Sequence, residues 1–367
     1  MSQTRHLLPR DQLQSLIDLL QSQGYRCVGP QVRNQAIVFD TLQSVAQLPQ
    51  GIREEQAPGR YRLTQTEHPE YFHWTTGPQG IKPFLFRPTE KLWSCERNED
   101  GTLQFAQQAP QAEKLAIFGL RACDIAALYV QDKHFLRCDS QDPYYQAQRE
   151  KLFLVAVNCT HSAATCFCAS TGDGPRVTYG YDLLLTEQED GFLIEALSHA
   201  GADLLPQLAA KPAADVQCLA ADAAILDAAR QQRALPSRHL KEVLFNNLDH
   251  PRWQELAQRC LSCGNCTSVC PTCFCHSESD IPTLSGEHTD HVREWSSCFT
   301  ADHSYIHGMT IRATTALRYR QWLTHKLGSW HDQYGRSGCV GCGRCISWCP
   351  VGIDITEEVA AICGESA

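Results

Sequence analysis

Eight cysteines near the carboxyl end carry the chemistry the rest of the chain must serve. Cys260, Cys263, Cys266 and Cys270 precede Pro271 in the pattern C-x2-C-x2-C-x3-C-P. Cys339, Cys342, Cys345 and Cys349 precede Pro350 in the same pattern. Three thiolates at this stride grip three corners of one iron–sulfur cubane, and in two-cluster ferredoxins the fourth cysteine of each run ligates the other cluster. The spacing therefore assigns Cys260, Cys263, Cys266 and Cys349 to one 4Fe-4S cluster, and Cys339, Cys342, Cys345 and Cys270 to a second. Gly264, Gly341 and Gly343 fall between ligands, where the backbone comes close to the cluster and positive φ is useful. Structural zinc also takes four cysteines, but its ribbons use two separated C-x2-C pairs without the C-P ending.

Four more cysteines are brought together by the fold they imply. Residues 115–119 read as a buried strand, 124–135 as a helix and 152–157 as a second buried strand. A strand–helix–strand unit makes its strands parallel and neighbouring, so both end on one sheet edge. Cys123 follows the first strand and Cys159 the second, on the edge where open α/β sheets place ligands. Cys166 and Cys168 follow on the next loop. This group is a candidate third iron–sulfur site, with a zinc site or a set of buried thiols as the other readings. Arg121 and Asp124 flank it. Cys273, Cys275 and Cys298 lie between the two motif runs and have no fourth partner of their own. They either support the first cluster or complete the upstream group. Cys27, Cys95, Cys138, Cys218 and Cys363 are scattered and read as small buried hydrophobes.

The elements that must position these residues divide at 234–238. Residues 1–238 read as a mixed α/β domain with the additional iron–sulfur site and a docking surface. Residues 239–367 read as a mainly α-helical, ferredoxin-like domain holding two 4Fe-4S clusters. At the start, Asp11 caps a helix carrying Leu13, Leu16, Ile17 and Leu20 at helical spacing, and Gly24 stops it. Short apolar runs at 36–39, 61–64 and 84–86 read as strands. A hairpin with a tight Asp-Gly turn is expected across 182–196, followed by helical sequence to Arg233. About seventy residues separate the two cysteine runs, and their apolar spacing at Ala316, Leu323 and Leu327 predicts a long helical insertion.

The chain has 367 residues, 20 cysteines and a formal charge of −9. The cysteine count without an export signal predicts metal ligation in a reducing, cytoplasmic compartment rather than disulfides. No run of Lys and Arg marks nucleic acid as a partner, and no apolar stretch is long enough to span a bilayer. There is no G-x-G-x-x-G after a strand, no P-loop and no H-E-x-x-H, so no catalytic residue is assigned. Electron-carrying centres without a substrate site describe a relay between other subunits.

Four stretches carry a resemblance: 259–266 (R-C-L-S-C-G-N-C), 270–275 (C-P-T-C-F-C), 295–298 (W-S-S-C) and 338–345 (G-C-V-G-C-G-R-C). They resemble the beta subunit of cytoplasmic NiFe sulfhydrogenases and the related electron-transfer subunit of anaerobic sulfite reductases. The likeness extends upstream through 118–124, 142–145 and 165–168. It implies two 4Fe-4S clusters on the eight motif cysteines. It also implies a heteromeric oxidoreductase in which this chain passes electrons between a flavin subunit that binds NAD(P)H and the small subunit of the hydrogenase. The sulfite reductase likeness implies sulfite reductase subunits as partners instead. A zinc-stapled adaptor without a redox role is the reading of another class. Ser296 stands where an acidic residue is expected in the W-D-S-C stretch.

Overall fold

Strand-forming sequence is concentrated before residue 215, and most of it enters one sheet. The computed structural model describes residues 5–137, 141–237 and 239–364. Its largest sheet has eight strands: β1 (His6–Pro9), β2 (Arg26–Arg33), β3 (Ala36–Thr41), β8 (Leu115–Leu120), β9 (Leu152–Val157), β10 (Leu183–Gln188), β11 (Gly191–Ala196) and β12 (Lys211–Pro212). The order across it is β12-β1-β11-β10-β9-β8-β2-β3. β2, β8, β9 and β10 run parallel, and hairpin partners flank them antiparallel. β8 is buried at every position and β9 at nearly all, as central parallel strands covered on both faces should be. The helix Ala122–Phe135 makes the crossover between them. The amino-terminal helix Leu13–Ser22 buries Leu13, Leu16, Ile17 and Leu20, the stripe its spacing predicts.

Three smaller pairings lie outside this sheet, one of them the two-residue ladder of Tyr305–Ile306 with Met309–Thr310. β4 (Ile52–Ala57) pairs with β5 (Arg60–Gln65). A four-stranded sheet joins β6 (Thr89–Arg97) and β7 (Leu103–Gln107) to β13 (His276–Pro282) and β14 (His288–Trp295), with β14 against β6. Strands from before and after residue 238 thus share one sheet; residue 238 itself lies outside the described residues, as does Cys138.

Two expectations are corrected here. The run 84–86 is not a strand: Lys82–Leu85 forms one helical turn, with Pro83 in its first turn, where a missing N–H costs nothing. The insertion between the cysteine runs is not helical throughout, because its first half is the β13–β14 hairpin. β13 is exposed at every position, so it carries no apolar alternation to read. The second half is helical, with Thr315–Thr324 burying Ala316, Tyr319, Trp322 and Leu323. The chain is mixed α/β throughout, with helices prevailing after β14.

Candidate metal centres

The two cysteine runs fold alike. Gly264 and Gly343 both sit at φ +73° and open one-turn helices, Asn265–Ser268 and Arg344–Ser347. Two residues earlier in each stride, Ser262 and Gly341 are also left-handed, at φ +50° and +62°. That conformation turns each amide toward the first thiol of its run. Ser262 N–H donates to Cys260 Sγ at 3.4 Å, and Gly341 N–H to Cys339 Sγ at 3.5 Å. Backbone N–H groups aimed at sulfur stabilise thiolate and are among the interactions that set an iron–sulfur potential.

Cys260, Cys263, Cys266 and Cys349 line one pocket, so the fourth cysteine of the second run does reach the first run's stride. Cys345 borders the same pocket, walled by Phe299, Tyr319 and Trp322. The Tyr319 hydroxyl and the Trp322 indole N–H are buried there without a hydrogen-bond partner. An unmatched donor costs about 1–3 kcal/mol. Both are therefore fitted to an occupant that accepts hydrogen bonds, as the sulfides of a cubane do. Cys263 is exposed and Leu261 beside it is too, so this pocket lies at the surface.

Cys339, Cys342, Cys345 and Cys270 form a second group. Burial pushes the Cys345 thiol well up, and the neighbouring charges of Cys339, Cys342 and Cys270 add to it. Lys326 is buried beside this group, donating to Cys270 Sγ at 3.4 Å and to Thr272 Oγ1 at 2.9 Å. Burial opposes its charge, yet Cys270, Cys273 and Cys339 hold its pKa well above the ordinary value. A buried ammonium needs a negative neighbour, and the groups Lys326 reaches are Cys270 Sγ, Thr272 Oγ1 and Gly338 O.

The upstream cysteines also converge. Cys123, Cys159, Cys166 and Cys168 line one pocket at the ends of β8 and β9, with Arg121, His161 and Gln231. Gln231 Nε2 donates to Cys168 Sγ at 3.2 Å. Cys342 of the second run borders the same pocket, so this group adjoins the second one. Contact between them is made through glycine. A Cβ at Gly341 would lie 2.5 Å from Cys168 N and Cα, and one at Gly343 would lie 2.4 Å from Thr165 O. Phe167 N–H donates to Gly341 O at 2.9 Å. Arg344 Nη2 and Asp124 Oδ1 pair at 2.8 Å, both 1% exposed, and join the second run to the crossover helix. The Arg121 guanidinium donates to Phe72 O at 2.8 Å, to Trp74 O and to Asn158 O at 3.4 Å, and its backbone N–H, not its side chain, donates to Asp124 Oδ2 at 3.2 Å.

Cys273, Cys275 and Cys298 do not join the upstream pocket; they lie with Cys270, Lys82 and Lys326. Among the described residues, no group of three or more His, Cys, Asp or Glu is placed to hold a single metal ion. Thiolates around one zinc stand about 3.8 Å apart, given Zn–S bonds of about 2.3 Å. Those around a cubane stand farther apart, which suits groups that border pockets. Lys82, Lys326, Tyr319, Trp322 and Gln231 were not singled out in the sequence, because they lie outside any cysteine spacing. Arg344 stands inside the second motif, but its spacing there gave it no role of its own.

These groups define an iron–sulfur protein, and residues 259–353 match the family described as a 4Fe-4S dicluster domain. The chain carries 4Fe-4S clusters. It is similar to the sulfhydrogenase 2 subunit beta of Pyrococcus furiosus, 29% identical over 289 residues, which span 76% of this chain and 82% of that protein. It is thus an iron–sulfur electron-transfer subunit related to that beta subunit. No solved structure matches it. Among the described residues no helix is long and apolar enough to cross a membrane.

Proposed function

We propose that this chain relays electrons between a flavin subunit that binds NAD(P)H and the small subunit of a cytoplasmic NiFe hydrogenase. Cys260, Cys263, Cys266 and Cys349 hold one 4Fe-4S cluster, and Cys339, Cys342, Cys345 and Cys270 hold the second. Cys123, Cys159, Cys166 and Cys168 hold a third. The observation that carries the reading is the interleaving. Cys349 closes the first run's pocket, Cys345 borders it, and Cys342 borders the upstream pocket. The three groups therefore form a line from the sheet edge to the surface at Cys263.

Bound clusters supply one-electron chemistry. The protein's own side chains do the rest: Phe299, Tyr319 and Trp322 keep water from the first site, Lys326 balances charge at the second, and Arg121 does so at the upstream site. The test replaces Cys345 with Ser in the assembled complex. NAD(P)H-to-dye and hydrogen-to-dye half-reactions should persist, while electron passage from one to the other stops. Loss of both half-reactions, or co-elution with a sirohaem protein in place of a NiFe one, would refute the assignment.

A further inference from the structure

The third set of thiols has a geometry of its own. Cys275 immediately precedes β13 and Cys298 follows β14, at the open end of the hairpin. His276 pairs with Trp295 in the hairpin register, and Ser296 N–H donates to Cys275 O at 2.9 Å. This sets Cys275 and Cys298 side by side at the base of the hairpin. They differ in exposure: Cys275 is partly exposed and Cys298 is 9% exposed. Two buried lysines stand behind them. Lys82 lies 3.8 Å over the Trp295 ring, donates to Ser268 O at 3.1 Å and has no carboxylate partner among the described residues. Lys326 reaches Cys270 on the far side.

We propose that Cys275 and Cys298 form a dithiol–disulfide couple that exchanges with small-molecule disulfides and lies beside the second cluster site. The chemistry follows from the asymmetry of the pair. Cys275 is the thiol that solvent reaches, with the buried ammonium groups of Lys82 and Lys326 behind it to favour a thiolate, while Cys298 is buried. The exposed sulfur is thus the nucleophile and the buried one the resolving thiol. The Cys275 thiolate attacks one sulfur of RSSR, the S–S bond breaks, and one RS⁻ leaves. Cys298 then gives up its proton, its sulfur attacks Cys275 of the mixed disulfide, and the second thiolate leaves. The net change is RSSR plus thiolate and thiol to the Cys275–Cys298 disulfide plus RS⁻ and RSH. Returning the disulfide to thiolate and thiol takes two electrons and one proton. Lys326, behind the couple, donates to Cys270 Sγ at 3.4 Å, which sets the couple beside a proposed cluster site that supplies electrons one at a time. Only this return step rests on the relay reading.

The test uses the full, cluster-loaded chain under anaerobic conditions with hydroxyethyl disulfide as probe. Peptide mapping should find Cys275 linked to Cys298, about two equivalents of mercaptoethanol released per chain, and iron content unchanged. Cys298→Ser should stop the reaction at a mercaptoethanol adduct on Cys275. The inference fails if both thiols remain open to alkylation after treatment. It also fails if Cys275→Ser or Cys298→Ser lowers iron by about three to four atoms per chain, because the thiols would then be cluster ligands. An iron-free wild-type chain would refute the relay reading instead, and the thiol mapping would still report on the couple.

Discussion

Gly341 is the point at which the second cysteine run meets the upstream loop, and replacing it with alanine isolates that contact. Two costs add. The residue sits at φ +62°, and a left-handed L-residue costs about 1–2 kcal/mol. The new Cβ would also stand 2.5 Å from backbone atoms of Cys168, whereas carbon contacts are favourable at about 3.5–4.0 Å. Relieving that overlap moves backbone rather than a flexible side chain, at about 1–3 kcal/mol. Gly335 is the control: it is left-handed at φ +70° and a Cβ there meets nothing within 4 Å. Gly335→Ala should cost about 1–2 kcal/mol and Gly341→Ala about 2–5 kcal/mol in urea unfolding of the loaded protein. Only the second should disturb the upstream pocket, lowering iron by about four atoms per chain. Equal destabilisation by the two variants, with iron unchanged in both, would show that residues 165–168 do not pack on the second run as described.

Two further outcomes follow from buried charge and buried thiols. Arg344→Met removes the buried cation from Asp124, which at 1% exposure keeps only the Arg121 N–H, so it should cost about 3–5 kcal/mol, with Asp124→Asn in the same chain recovering part of the loss in a double-mutant cycle. In the iron-free chain, burial raises the pKa values of Cys123, Cys166, Cys266 and Cys345 above the ordinary thiol value of 9.0. Folding then favours the protonated thiol, so this stability is fully present below pH 9 and is lost as pH rises beyond it. Urea midpoints of the iron-free chain should fall between pH 8 and pH 10, and a midpoint that rises over that interval would contradict the burial. Iron uptake reverses the preference, since each ligand must lose its proton, and should acidify a weakly buffered solution.

The metal chemistry was legible because it is local. A stride of two, two and three residues fixes where a thiol can stand, and the crossing of Cys349 into the first pocket follows from it. The upstream group was legible for another reason: parallel neighbours end on one edge, so β8 and β9 had to deliver Cys123 and Cys159 together. Pairing over long separations was not legible. β14 is held by β6 almost two hundred residues earlier, and the polar, exposed β13 offers no periodicity to betray it. Lys82 and Lys326 are ordinary lysines in sequence. Only the fold reveals that both are buried against sulfur.

The tie between Arg344 and the front of the chain has a consequence for biogenesis. Its guanidinium is held by Gly77 O at 3.1 Å, Gln79 O at 3.3 Å and Asp124, all synthesised well before it. Gly59 N–H likewise donates to Ile346 O at 3.0 Å. The second cysteine run is therefore seated by segments that precede it by about two hundred residues or more. Iron insertion at that run must await its own synthesis, and a nascent chain stalled before residue 339 would present Cys123, Cys166 and Cys168 to the cell without the segment that packs on them.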